Sequence, residues 1–193
     1  MQDIIIENLC KAYGEKTVLQ NFSCRFPAGQ ISCLMAPSGW GKTTLLRILM
    51  GLEAPDSGRI SGAEGLRISP LFQEDRLCEN LSAIANLRLV NPELSPAEAH
   101  AALKDAGLGE SAEQRIKEFS GGMKRRAALM RSLCTPGDLL ILDEPFKGLD
   151  SATRLQMIRC VSSRRNGRTL ILVSHDPADA KDLQTQLIDM TRI

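Results

Sequence analysis

The 193-residue sequence has no excess of charge of either sign, since 24 Lys and Arg stand against 23 Asp and Glu. Without a basic surplus there is no whole-chain electrostatic case for direct binding to nucleic acid or to an anionic membrane surface. Long apolar runs are missing too, and no stretch approaches the ~18 residues of a membrane-spanning helix. The first ten residues, MQDIIIENLC, carry an acidic residue and a short apolar run instead of the basic start and longer apolar segment of a secretory signal. A cytoplasmic protein is expected. Six cysteines (Cys10, Cys24, Cys33, Cys78, Cys134 and Cys160) include no C-x-x-C pair. That spacing argues against a zinc or dithiol site and leaves free thiols in a reducing compartment. Internal repeats and low-complexity segments are absent as well, so one copy of a single unit is expected, long enough to bury about 70% of its unfolded surface.

What is present is a set of short, β-branched apolar runs at Ile4–Ile6, Ile31–Met35, Leu139–Leu142 and Leu170–Val173. The later ones alternate with helical patterns, which predicts an α/β fold with a mainly parallel sheet. Each of the last three runs leads into polar residues: Pro37-Ser38-Gly39, Asp143-Glu144 and Ser174-His175-Asp176. Ligands of open α/β sheets bind beyond the carboxyl ends of the strands, so these clusters are expected to meet. From Cys78 to about Gly109 the sequence turns rich in Ala and Leu, and Ser95-Pro96 before Glu98 has the form of a helix start. The expected organisation is a core of residues 1–75 and 135–193 with an inserted helical lobe over 76–134.

The stretch MAPSGWGKTT, residues 35–44, fits the phosphate-cradling pattern G-x-x-x-x-G-K-[ST] except at its first position, where Ala36 replaces glycine. A strand before and a helix after would aim backbone N–H groups and the positive helix end at phosphate. Lys42 would neutralise phosphate oxygens and Thr43 would ligate Mg²⁺. The missing glycine is sterically harmless, because Pro37 drives Ala36 to an extended, negative-φ backbone where alanine is unstrained. Gly39 and Gly41 remain where backbone must approach phosphate closely. Trp40, the only tryptophan, is expected to point away from the phosphates, toward solvent or a partner.

Asp143 and Glu144 end a second strand, LLILDEP. The first is placed to serve Mg²⁺ and the second to polarise an attacking water. In FSGGM, Ser120 suits a helix cap, whereas Gly121-Gly122 would cost stability in a first helical turn and instead exposes N–H groups as an anion site.

The ordered set APSGWGKTT, LFQEDRL, FSGGM, LLILDEP, KGLD and VSHD, running from Tyr13 to His175, resembles the nucleotide-binding subunit of ATP-binding-cassette (ABC) transporters. The resemblance implies the P-loop NTPase fold, with an antiparallel β portion at the N-terminus and a helical lobe in the middle. It implies a nucleotide site of residues Ala36, Pro37, Ser38, Gly39, Trp40, Gly41, Lys42, Thr43 and Thr44, with Tyr13 stacking on adenine. Metal ligands would be Thr43, Gln73 and Asp143; Glu144, His175, Gln73 and Lys42 would carry the chemistry. Ser120, Gly121, Gly122, Met123 and Asp150 would act on the ATP of a second cassette, giving a homodimer or heterodimer with two ATPs at its interface. Met123 departs from the usual glutamine and suggests weaker dimerisation without lost turnover.

LFQEDRL with EPFKGLD is similar to bacterial importers of the nitrate, sulfonate and taurine group. That implies ATP-driven import of a small solute, with permease subunits holding the cassette against the inner face of the membrane, and an extracytoplasmic solute-binding protein. The sequence stops soon after VSHD, so no appended regulatory domain is expected. Three other readings stay open: a cassette that binds ATP but hydrolyses it poorly, a soluble cassette ATPase outside transport, and a small-molecule P-loop kinase, in which FSGGM would have no role. Retention of Glu144 and His175 weighs against the first, and the lack of a basic excess or second cassette against the second.

Overall fold

The computed structural model describes residues 2–191. Eight strands and six α-helices follow in the order β1 (Ile4–Tyr13), β2 (Lys16–Phe26), β3 (Ile31–Met35), α1 (Lys42–Leu49), β4 (Ser57–Ser61), β5 (Ile68–Leu71), α2 (Ala83–Val90), α3 (Pro96–Asp105), α4 (Gly121–Cys134), β6 (Leu139–Asp143), α5 (Ser151–Arg164), β7 (Thr169–Val173), α6 (Pro177–Asp182) and β8 (Gln186–Asp189). β5, β6, β7, β3 and β8 lie side by side in that order, all neighbours parallel. β2, β1 and β4 form a separate antiparallel sheet.

The continuous apolar runs follow from burial on both faces of the parallel sheet. Cys33, Leu140, Leu142, Leu170 and Leu172 face one core, packed with residues of α2, α3, α4 and α5. Their alternates Leu34, Leu139, Ile141, Ile171 and Val173 face the other, shared with α1 and with Ile4, Ile6, Leu9 and Phe26 of the antiparallel sheet. Each fully buried Leu or Ile stabilises this arrangement by roughly 1.5–3 kcal/mol. Pro70 is tolerated within β5 because β5 is an edge strand, where one side needs no ladder partner.

Local start signals act as their chemistry requires. The Ser95 hydroxyl accepts from the Glu98 N–H while the Glu98 carboxylate accepts from the Ser95 N–H, a complete capping box at the head of α3. The order β6-β7-β3 sets Asp143, Val173 and Met35 at one end of the sheet, so the segments that follow these residues emerge together.

Candidate nucleotide site

Gly39 and Gly41 adopt φ of +86° and +80°, whereas Ala36 is not among the positive-φ residues. The expectation from Pro37 therefore holds: this first position does not need glycine's freedom. Gly41 needs it twice over, because a Cβ there would sit 2.7 Å from the Val18 carbonyl oxygen. Gly41 caps α1, and its carbonyl accepts from Leu45 N at 2.8 Å. Lys42 follows with its ammonium donating to the carbonyls of Ala36 (2.5 Å) and Pro37 (2.9 Å). Ala36 thus contributes backbone to the loop, and the lysine rests on the loop it belongs to. Burial lowers the lysine's proton affinity, and the charges of Glu144 and Asp143 work against that.

β6 delivers the two carboxylates. Asp143 is buried, which raises its carboxyl above the ordinary value; Arg125, Lys42 and His175 partly offset this, as does a hydrogen bond from Thr43. Glu144 follows in the left-handed region at φ +52°, a conformation that costs a non-glycine residue about 1–3 kcal/mol. Its carboxyl is raised by burial and by Asp143, and lowered by His175 and Lys42. His175 Nε2 lies 2.9 Å from Glu144 Oε1. The approach is close but poorly aligned, and Oε1 is a buried oxygen with no hydrogen-bond partner among the described residues. An unsatisfied carboxylate oxygen at a cleft wall is available for a polar hydrogen of a bound molecule.

These groups enclose one cleft of about 500 Å³, lined by Ser38, Gly39, Gly41, Lys42, Thr43 and Thr44 from the loop, Gln73 after β5, Asp143, Glu144 and His175. Tyr13 stands at its rim, half-exposed, with its hydroxyl donating to the Glu53 carboxylate and the Lys11 ammonium 5.6 Å from its ring centre. Trp40 does not line this cleft; it is half-exposed over a neighbouring depression bordered by Lys16, Gln20, Phe22 and Met190.

A second group of predicted residues is absent from the cleft wall. Ser120 caps α4 by accepting from Met123 N at 3.3 Å, and Gly121 and Gly122 form the first turn. Met123 turns inward and packs against the core of the helical segment, which explains why an apolar residue suits this position. Asp150 caps α5, its carboxylate accepting from the N–H groups of Ala152 (3.1 Å) and Thr153 (3.0 Å).

The family profile described as ABC transporter matches residues 19–147. The chain belongs to the ABC transporter family. Among curated members, it is 40% identical to an aliphatic sulfonates import ATP-binding protein of Paracoccus denitrificans, over 96% of this chain and 78% of that one. A protein of the same description from Nocardia farcinica is 38% identical, over 98% and 78% of the two chains. A lantibiotic transport ATP-binding protein of Streptococcus pyogenes is 36% identical, over 92% and 82%. Among solved structures, an Atm1-family ABC exporter with ATP bound superposes with a TM-score of 0.85 at 23% identity, covering 98% of this chain and 37% of that chain. That likeness confirms the fold.

One residue of this ABC protein escaped the sequence reading. Arg125, on the same face of α4 as Ala128, Leu129 and Ser132, is buried, and its guanidinium reaches both the segment after β5 and the end of β6. The signal was an arginine three and four residues ahead of the apolar Ala128 and Leu129, on the face that α4 turns inward, readable once α4 was placed. Among the described residues no helix is long and apolar enough to cross a membrane.

Proposed function

We propose that the chain is the ATP-binding and ATP-hydrolysing subunit of an ABC importer. The observation that carries this is the convergence of Lys42, Thr43, Gln73, Asp143, Glu144 and His175 on one cleft at the carboxyl ends of the parallel strands. ATP would enter with its phosphates over the loop, where the N–H groups of 39–44 and the start of α1 face them. Lys42 would then exchange the carbonyls of Ala36 and Pro37 for phosphate oxygens. Thr43, Asp143 and Gln73 offer hard oxygen donors, a set suited to Mg²⁺, which needs only one or two protein carboxylates beside phosphate oxygens. Bound there, the ion would neutralise charge on the β- and γ-phosphates. Glu144, raised in basicity by burial, accepts a proton from the attacking water. His175, beside it, donates toward charge gathering on the γ-phosphate.

Ser120, Gly121, Gly122 and Met123 belong to a second site. Neither glycine has a positive φ, and an added Cβ would meet nothing closer than 3.8 Å within the chain. Nothing intramolecular demands glycine there, which favours close approach by something outside the chain: the ATP held by a second cassette, with Asp150 at the junction. ATP would close such a dimer and hydrolysis reopen it, passing motion through the helical lobe to permease subunits on the cytoplasmic face of the membrane. Import of a small solute, delivered by an extracytoplasmic binding protein, is favoured by the wording of LFQEDRL and EPFKGLD and by relatives named for sulfonate import. A poorly hydrolysing switch is disfavoured by the Glu144–His175 pair.

Purification of the tagged chain from membranes tests this. Co-isolation of permease subunits, with ATPase activity lost in Glu144→Gln, is expected; a chain recovered alone from detergent-solubilised membranes, or with ribosomes, would contradict the transport reading.

A further inference from the structure

Arg125 connects three segments: α4, the residues after β5 and the end of β6. It lies five residues beyond Ser120 on α4, and its side chain is 7% exposed. Nη2 donates to the carbonyls of Asp143 (2.5 Å) and Glu144 (2.8 Å). Nη1 donates to the Phe72 carbonyl (2.8 Å), more weakly to that of Gln73 (3.4 Å), and to Asp75 Oδ1 (3.0 Å). The parallel ladder between β5 and β6 stops at Leu71–Leu142, one residue short of the first of these carbonyls on each side. Beyond that point the guanidinium takes over the role of the ladder.

Two features show that this clip acts on the reacting groups. The carbonyls held by Nη2 belong to Asp143 and to Glu144 itself, whose left-handed backbone needs outside support to persist. The carbonyls held by Nη1 begin the segment from which Gln73 enters the cleft. The planar fork presents a separate nitrogen to each of the two chain segments, whereas a lysine ammonium would have to serve both from one nitrogen. Arg125 Nε is left buried without a partner among the described residues, so the geometry favours the fork over full satisfaction of the side chain.

We propose that Arg125 is a positioning residue for hydrolysis, fixing the Gln73 and Glu144 backbones at one separation so that both side chains address the same water. Because the clip is carried by the helix that Ser120 caps, a shift of its first turn, residues 120–123, would move both groups. This rests on the ATPase reading above.

The test compares Arg125→Gln and Arg125→Lys, each alone and combined with Glu144→Gln. Affinity is read with a fluorescent ATP analogue, turnover by single-turnover phosphate release and folding by thermal melts. Arg125→Gln is expected to lower turnover by about 10- to 100-fold, the scale of an ångström misplacement, with nucleotide affinity within threefold. In the Glu144→Gln background the same change is expected to cost less than twofold, because the group being positioned is already gone. Arg125→Lys should recover part of the loss and keep the test open if the glutamine variant does not fold. Turnover within threefold of wild type, full additivity with Glu144→Gln, a parallel loss of affinity and melting temperature, or failure of both variants to fold would each overturn the proposal. Wild-type turnover insensitive to Glu144→Gln would instead overturn the ATPase reading.

Discussion

Two glycine-bearing loops open two helices of this chain, and they need glycine for opposite reasons. At the head of α1, Gly41 is held at φ +80° against the Val18 backbone, and its own fold forbids a side chain. At the head of α4, Gly121 has ordinary backbone and open space where a Cβ would stand. Around the first loop gather mutually perturbed charges, Lys42 and Asp143 buried and Glu144 partly so. Around the second, the Ser120 side chain is occupied by its cap and Met123 by the core. The first loop faces a cleft of its own chain, whereas beside Gly121 and Gly122 the described residues leave open space. In the proposed dimer, that contrast would make one copy the holder of a catalytic half and a covering half belonging to different sites.

The largest expected effect strikes the first loop's neighbourhood. Glu144→Gln should lower hydrolysis by about 10²- to 10⁴-fold, the contribution of a general base, while ATP still binds. Phosphate release and nucleotide binding measured together check this, and unchanged turnover would remove Glu144 from that role. Lys42→Ala comes next. Loss of a charge-assisted contact worth about 1.5–3 kcal/mol predicts roughly 10- to 100-fold weaker ATP binding by titration calorimetry.

Glycine replacements sharpen the contrast. Gly121→Ala should stabilise the nucleotide-free chain by about 0.5–1 kcal/mol, as alanine does in a helix, yet reduce hydrolysis. Gly41→Ala should do the reverse for stability, through strain at positive φ and collision with Val18. Melting curves of the two variants, run beside ATPase assays, distinguish the loops; destabilisation by both would erase the distinction.

A smaller effect depends on pH. Burial raises the carboxyls of Asp143 and Glu144 in the folded chain. Between the ordinary and the raised value the folded state binds more protons than the unfolded one, so stability falls as pH rises through that window. Glu144→Gln should therefore melt above wild type at neutral pH, the advantage fading as pH drops toward the ordinary carboxylate value of about 4. A gain that grew on acidification would reverse the sign. Smallest of all, Ala36→Gly should leave ATP affinity within about threefold, since only the Ala36 carbonyl is used.

The parts of this molecule legible in the sequence were those whose chemistry is local. Residues 35–44, the carboxylate pair, the Ser95–Glu98 cap and the Ser120 cap each state their conformation within a few residues. Long-range placement was harder to read. β2, β4 and β8 have mixed burial and gain their identity from pairing with partners such as β1 and β3. Tyr13 was legible through the family resemblance as the aromatic for adenine, but its Glu53 partner, forty residues on, was not. Arg125 reads locally as one more charge in LysArgArg; only tertiary structure reveals that it faces inward.

The central claim, that the 120–123 loop completes a site in another copy, is tested most directly by sedimentation of Glu144→Gln with and without Mg²⁺ and ATP. The account predicts a shift from the mass of one chain to that of two on ATP addition, abolished by a further Gly122→Asp change that leaves ATP binding intact. A mass unmoved by ATP, or an ATP-driven dimer indifferent to Gly122→Asp, would contradict it.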